Sequence, residues 1–331
     1  MSEIINPVFI CGHRKGGTTV FHNLFDGHPE LLVYPSDLNL LYAYFPQYLQ
    51  PGFSDEQRRE RLDKVLFEDL KEQLKINNTG SLIDMDKFRS GFFERVGEDL
   101  VDMKKIISSL IMSFASTVNA SGKVPVIKET SIEIYATEIF SWFPDAKFIQ
   151  LLRDPRDNYG ALKSGVSKYY SKIGENEKET LASLIHRAKL GMEIGFYNLQ
   201  KFGPEKYKML KFEDVISNPE REMKSVADFM NIKFDPVLLS PTRLNERTRG
   251  NNFDGNNFSE LSATNVGRWK ERISETEAQI IEFHFQELMN KLDYKLNFKM
   301  EECAQAAAEF YKWQNYRYFY SDRFKTILSG S

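Results

Sequence analysis

The sequence has only two cysteines, Cys11 and Cys303, among 331 residues. No disulfide framework can be built from them, and the chain reads as one made for a reducing, cytoplasmic compartment. It lacks any run of the roughly 18 apolar residues that a membrane helix needs. A secretory leader is also missing: the chain begins Met1-Ser2-Glu3, and a strand-like apolar run follows almost at once. Excess positive charge is absent too. With 44 basic and 47 acidic residues the net charge is -3. That excludes the broad basic footprint of a nucleic-acid binder but leaves room for a local basic pocket. There are no internal repeats and no low-complexity segments. What remains is long enough for one large α/β domain or two small ones, with a sizeable core.

The most informative stretch present is Gly12-His13-Arg14-Lys15-Gly16-Gly17-Thr18-Thr19. The apolar residues 7–11 read as a buried strand ending in Cys11, and 18–26 read as a helix closed by Gly27-His28-Pro29. A strand, a glycine-rich loop and a helix N-terminus together direct backbone N–H groups and a partial positive charge at an anion. The spacing Gly12-x4-Gly17 is that of a P-loop. A nucleotide-hydrolysing P-loop carries lysine directly after the second glycine. Here that place holds Thr18, and the lysine lies inside the loop as Lys15.

Further along, residues 31–34 read as a short strand, with Pro35-Ser36-Asp37 starting a new segment. Ser54 and Gln57 form a capping-box pattern that opens an amphipathic helix over 54–75, with Leu62, Val65, Leu66, Leu70 and Leu74 at helical spacing. Asn77 to Gly80 breaks it. A second helix spans 98–118, with Val101, Ile106, Ile107, Leu110, Ile111 and Phe114 inward. The region 38–120 is thus a helical insertion, expected to form one wall of an acceptor cleft. Strands are expected at 124–128, 147–152 and 207–212, and helices from about 130 to Phe143, over 177–202, from Pro219 through Met230, and from the Ser274/Glu277 capping box to about Leu292. Residues 241–265 lack a period and read as a long functional loop. The alternation predicts an α/β fold, a P-loop-type parallel sheet flanked by helices, for residues 1–300. Residues 301–331 form a C-terminal amphipathic helical extension, with Trp313, Tyr316, Tyr320, Phe324 and Ile327 on one stripe. That stripe either docks on the parent domain or makes a dimer or membrane-surface contact through 305–328.

Four stretches in this order resemble the sulfotransferase family, whose members use 3′-phosphoadenosine 5′-phosphosulfate (PAPS) as donor and release PAP. Arg14-Lys15-Gly16-Gly17-Thr18-Thr19 is similar to the family's P-[KR]-S-G-T-T loop. Phe143 to Ile149, running into Arg153-Asp154-Pro155-Arg156-Asp157, is similar to its 3′-phosphate segment. Leu210-Lys211-Phe212-Glu213-Asp214 with Asn218-Pro219 fits its Y-E-D…N-P region. Val266-Gly267-Arg268-Trp269-Lys270 resembles its C-terminal cofactor segment. The likeness covers residues 7–295 and implies a P-loop α/β fold and sulfuryl transfer from PAPS without a metal.

The resemblance implies roles for particular residues. Arg14, Lys15, Gly16, Gly17, Thr18 and Thr19 would hold the 5′-phosphosulfate, with the N–H groups of Gly16 to Thr19 directed at it and Lys15 at the bridging oxygen, where charge develops. Arg153, at a strand end, would hold the 3′-phosphate through its planar fork. The serine that the family places eight residues later is Ala161 here, and Ser164, one turn on, is its substitute. Arg268, Trp269 and Lys270 would close over the cofactor. Some members place a tryptophan after the Thr-Thr pair; here it is Val20. The acceptor hydroxyl needs a general base. Where small-molecule members have K-T-H, this chain has Lys128-Glu129-Thr130, so Glu129 is one candidate. Asp37 is the preferred one, by analogy with carbohydrate and protein-tyrosine sulfotransferases, and His13 is a third. An acidic base implies a sugar or glycan acceptor. A P-loop kinase for a nucleoside or small metabolite and a non-catalytic PAP-sensing module are the rival readings.

Overall fold

The computed structural model of the protein describes residues 6–76, 82–247 and 261–312. Five segments, β1 (Val8–Cys11), β2 (Leu31–Asp37), β3 (Val124–Lys128), β4 (Lys147–Leu152) and β5 (Tyr207–Lys211), pair in parallel in the order β2-β3-β1-β4-β5. The expected parallel sheet with flanking helices is the observed one. β1 sits at its centre because Val8, Phe9, Ile10 and Cys11 are all buried, as a strand covered on both faces requires. Alternate side chains point to opposite faces. Phe9 and Cys11 join the core under the helices of the insertion, and Val8 and Ile10 join the core under the P-loop helix Thr18–Asn23. The chain crosses β1 between β3 and β4, which places a ligand crevice above the C-terminal end of β1.

β2 is longer than the sequence indicates. It runs through Pro35 to Asp37, with a register shift between Val33 and Asp37 that restores pairing at Asp37↔Lys128. Proline cannot donate to a ladder, so the irregularity falls where Pro35 stands. Between β2 and β3 the chain is helical. The Ser54–Gln57 capping box forms, and the helix it opens continues through a π-turn at Lys64–Glu68 to Ile76. A helix at Met85–Val96 escaped the sequence reading, although Phe88, Phe92 and Val96 mark its buried face. The next begins at Met103, capped by Asp102, so Val101 precedes it and is exposed rather than inward.

Downstream, Glu177–Ser183, a π-turn and Lys189–Phe202 make one nearly continuous rod. The Ser274 capping box opens Glu275–Lys291. Met300–Tyr311 packs on that helix through a face that buries Cys303, Ala306, Ala307 and Phe310. The stripe from Trp313 onward, the break at 77–80 and most of the 241–265 loop lie outside the described residues. No helix among the described residues is long and apolar enough to cross a membrane.

Beneath β1 lies a buried polar cluster. Tyr207 Oη donates to Gln150 Oε1 at 2.8 Å, Gln150 Nε2 to the Gly191 carbonyl at 2.8 Å, and Asn198 Nδ2 to the Glu133 carbonyl at 2.8 Å. Burial pushes the Glu133 carboxyl up to about 7. The folded state therefore holds a proton that the unfolded chain releases above its ordinary carboxylate value of about 4.5. Stability on this account is full below about pH 4.5, declines as pH rises from there to about 7, and is level above that. Glu133→Gln keeps the shape and removes the titration. Its melting temperature should fall less than that of the parent protein between about pH 4.5 and about pH 7. Equal declines in calorimetric melts would show that Glu133 does not set the slope.

Candidate active site

The loop between β1 and its helix takes its shape from backbone requirements. Gly12 has φ 141° and Gly17 φ 95°, a region closed to most side chains. A Cβ at Gly12 would strike the Leu151 carbonyl, and one at Gly17 the ring of Phe212. Lys15 itself adopts a left-handed φ of 60°, a strained conformation that persists only where surroundings enforce it. Those surroundings are explicit. Asn158 Nδ2 donates to the Arg14 carbonyl at 2.8 Å, Asn158 Oδ1 meets His13 Nδ1 at 2.9 Å, and Arg153 Nη1 donates to the Lys15 carbonyl at 2.9 Å. The Gly16 N–H bonds the His13 carbonyl at 2.9 Å. It closes the turn, so this N–H is engaged within the loop. The helix starting at Thr18 still leaves the N–H groups of its first turn without intrahelical partners.

A charged cluster stands at the C-terminal ends of β2 and β3. The Lys128 ammonium, nearly fully buried, pairs with Asp37 and lies 3.5 Å from Thr19 Oγ1. Thr130 Oγ1 donates to the other Asp37 oxygen at 3.3 Å. Burial, and then repulsion from Lys128, pull the Lys15 ammonium down to about 8. The structure thus brings Lys15, Thr19, Asp37 and Lys128 into one electrostatic neighbourhood. Lys128 had been given no role from sequence. Its signal was the register: residues 91 apart in the chain become direct cross-strand partners.

Glu129 points the other way. Its carboxylate, 1% exposed, accepts the N–H groups of Leu41 at 3.1 Å and Tyr42 at 2.7 Å, and burial pushes it up to about 8. It anchors the short helix Leu40–Ala43, within electrostatic reach of Asp37. His13 is buried under the loop, and burial lowers it to about 3, so it is a neutral staple there.

The Arg14 guanidinium bonds Glu175 Oε2 at 2.5 Å and Ser183 Oγ at 3.0 Å and lies over the Tyr170 ring at 4.6 Å. It straps the 170–183 segment to the loop. Arg153 lies over Phe212, and its Nη2 donates to the Asn265 carbonyl at 3.1 Å. Its buried Nε has no hydrogen-bond partner among the described residues. Ser164 Oγ donates to its own helix at the Gly160 carbonyl, 2.9 Å away. Arg268 Nη1 reaches Asn265 Oδ1 at 3.2 Å, within the turn that precedes Trp269. The Trp269 ring is 8% exposed beneath the Arg156 guanidinium, a packing position that offers no open face for an adenine ring. Its N–H and that of Gly267 bond Asp157 at 2.7 and 2.6 Å, which fixes the 266–270 turn on the helix Pro155–Lys163.

Arg156, unassigned from sequence, is the structural centre of the Arg153–Asp157 stretch. It bonds Asp154 Oδ2 and the fully buried Glu282 Oε1, both at 2.6 Å. Asp154 thus pairs with Arg156, while Asp157 lies within electrostatic reach of Arg153.

Comparison with known proteins agrees with this fold. A sulfotransferase domain from the curacin biosynthetic pathway superposes with a TM-score of 0.59, at 18% identity, over 89% of this chain and 100% of its own. A sulfotransferase domain from the Synechococcus PCC 7002 olefin synthase gives 0.52 at 16% identity, over 88% and 97%. The sequence model for the sulfotransferase family matches residues 7–236, which takes in the P-loop, the Asp37–Lys128 pair and Arg153. The chain belongs to the sulfotransferase family.

Proposed function

We propose that the protein transfers the sulfuryl group of PAPS to an acceptor hydroxyl by in-line displacement. The observation that carries this reading is the gathering of Lys15, Lys128, Thr19 and Asp37 above β1 to β3. The first-turn N–H groups and the hydroxyls of Thr18 and Thr19 hold the 5′-phosphosulfate. Lys15 and Lys128 supply the fixed positive charge that a kinase takes from Mg²⁺, placed where the leaving oxygen becomes anionic. Asp37 takes the acceptor proton. The free Nε of Arg153, beneath the loop and next to Asn265, fits a ligand for the 3′-phosphate, with Arg268 at the edge. With a carboxylate as base, the acceptor is a sugar or glycan hydroxyl, and the helices of 38–120 form one wall of its cleft. Two buried free cysteines fit a cytoplasmic setting.

One experiment separates this from the kinase and sensor readings. PAP at 100 times its Kd should add about 2.7 kcal/mol of stability in a thermal melt, and ATP with Mg²⁺ should add far less. Asp37→Asn should keep the PAP shift and lose sulfated product. A shift with ATP–Mg²⁺ alone would favour a kinase. A PAP shift without product from any hydroxyl acceptor would favour a sensor.

A further inference from the structure

The hairpin at 242–247 is held under strain. Thr242 and Arg243 pair with Arg247 and Glu246, and the two residues between the strands, Leu244 and Asn245, have φ of 52° and 62°. Two left-handed residues suit a two-residue hairpin turn, yet a leucine rarely adopts that conformation. Such strain persists only where neighbours enforce it, and it gathers at functional positions. Here one oxygen of Asp26, just beyond the P-loop helix, accepts from Thr242 Oγ1 and from the Asn245 N–H, both at 2.7 Å. Leu244 packs against the core under the insertion helices. The residue fixed between these two anchors is Arg243.

The Arg243 guanidinium lies within electrostatic reach of Asp37 and of Asp26. Its buried Nε has no hydrogen-bond partner among the described residues. His22, one turn beyond Thr18 and Thr19 on the P-loop helix, feels the charges of both Lys128 and Arg243. Two cations therefore stand about Asp37, from different parts of the chain. Lys128 comes from β3 and also borders the P-loop, at Thr19 Oγ1. Arg243 comes from the hairpin.

We propose that Arg243 is a positioning residue that takes over the Asp37 carboxylate when a donor anion draws Lys128 toward the P-loop. The proposal rests on the sulfotransferase reading of the same site. Lys128 pairs with Asp37, so the donor and the carboxylate compete for one ammonium. Breaking an ion pair whose lysine is nearly fully buried is costly if a charge is left uncompensated. Arg243 supplies the second partner. Its planar fork can hold a carboxylate with two donors and keeps its proton throughout. Thr130 Oγ1 already holds the other Asp37 oxygen. Lys128 is then available to the phosphosulfate, and Asp37 stays fixed for the acceptor.

The test is a double-mutant cycle read by calorimetric titration with PAP, which needs no acceptor. Arg243→Gln should weaken PAP binding about fivefold or more, because Asp37 then keeps its hold on Lys128. In the Asp37→Asn background the same change should weaken it by about twofold at most, since no carboxylate competes. Arg243→Lys should recover part of the affinity, and its remaining loss should also vanish with Asp37→Asn. If Arg243→Gln does not fold, the Arg243→Lys cycle decides by the same rule. Equal losses in both backgrounds would show that Arg243 acts on the donor directly, and no loss in either would leave it without this role; each outcome overturns the proposal. Failure of PAP to bind the parent protein would instead remove the sulfotransferase reading, and the proposal with it.

Discussion

Replacing Lys15 with alanine should lower sulfuryl transfer about 10²–10³-fold while PAP binding weakens far less, because a preorganised charge acts most strongly on charge that develops in the transition state. The loop holds Lys15 in a left-handed conformation, with its carbonyl fixed by Arg153. That geometry aims one side chain; it adds nothing to the grip of the first-turn N–H groups. Burial and Lys128 already bring the Lys15 ammonium down to about 8, so it carries its charge at neutral pH and is easily polarised by a new anion. Transfer rates with saturating PAPS, set against calorimetric PAP titrations, measure the split. Parallel losses in the two would make Lys15 a simple ligand contact.

The largest stability effect should come from Arg156→Met. Arg156 pairs with two buried carboxylates at once, and it also donates to the Lys295 carbonyl at 3.0 Å and lies over Trp269 at 4.5 Å. Removing the guanidinium leaves Glu282, fully buried, facing the backbone N–H groups of Asn297 and Phe298 with no counter-charge. Breaking one side of a buried pair costs about 3–5 kcal/mol, or a drop of roughly 5 °C or more in the melt of a chain this size. Adding Glu282→Gln to Arg156→Met should recover part of the loss. An additive second loss in the double-mutant cycle would show that the charge is not the cause.

Much of the fold is legible because it is local. The Ser54 and Ser274 capping boxes, the bounds of β4 at Lys147 and Leu152, and the helix opening at Pro219 all follow from spacing within a few residues. The strand–loop–helix at 7–23 likewise announces an anion cradle. What was not legible depends on encounters between distant segments. The different surroundings of Asp37 and Glu129 depend on the register of β2 on β3. Adjacent residues on an extended chain face opposite ways, so once Lys128 points into the cluster, Glu129 points into the helix at 40–43. The motif singles out Arg153 and is silent on Arg156; only the position of Glu282, more than a hundred residues away, gives Arg156 its structural role. Arg14 stands where the family pattern has proline, and its use as a strap depends on Glu175, Ser183 and Tyr170 arriving from another helix layer.

The two carbonyls gripped by Arg153 carry a thermodynamic consequence. One rigid, planar group fastens Lys15 to Asn265, segments that come from opposite ends of the chain. A ligand that draws this guanidinium toward itself must loosen or retighten both loops together. The two ends of the crevice are then linked, and linkage is reciprocal. Whatever factor a 3′-phosphate contributes to affinity at the P-loop, an anion in the P-loop must return to the 3′ site. For the donor proposed above, which carries both groups, the expected affinity exceeds what its two halves taken separately would suggest, and its product, once stripped of the sulfuryl group, is expected to hold both loops still.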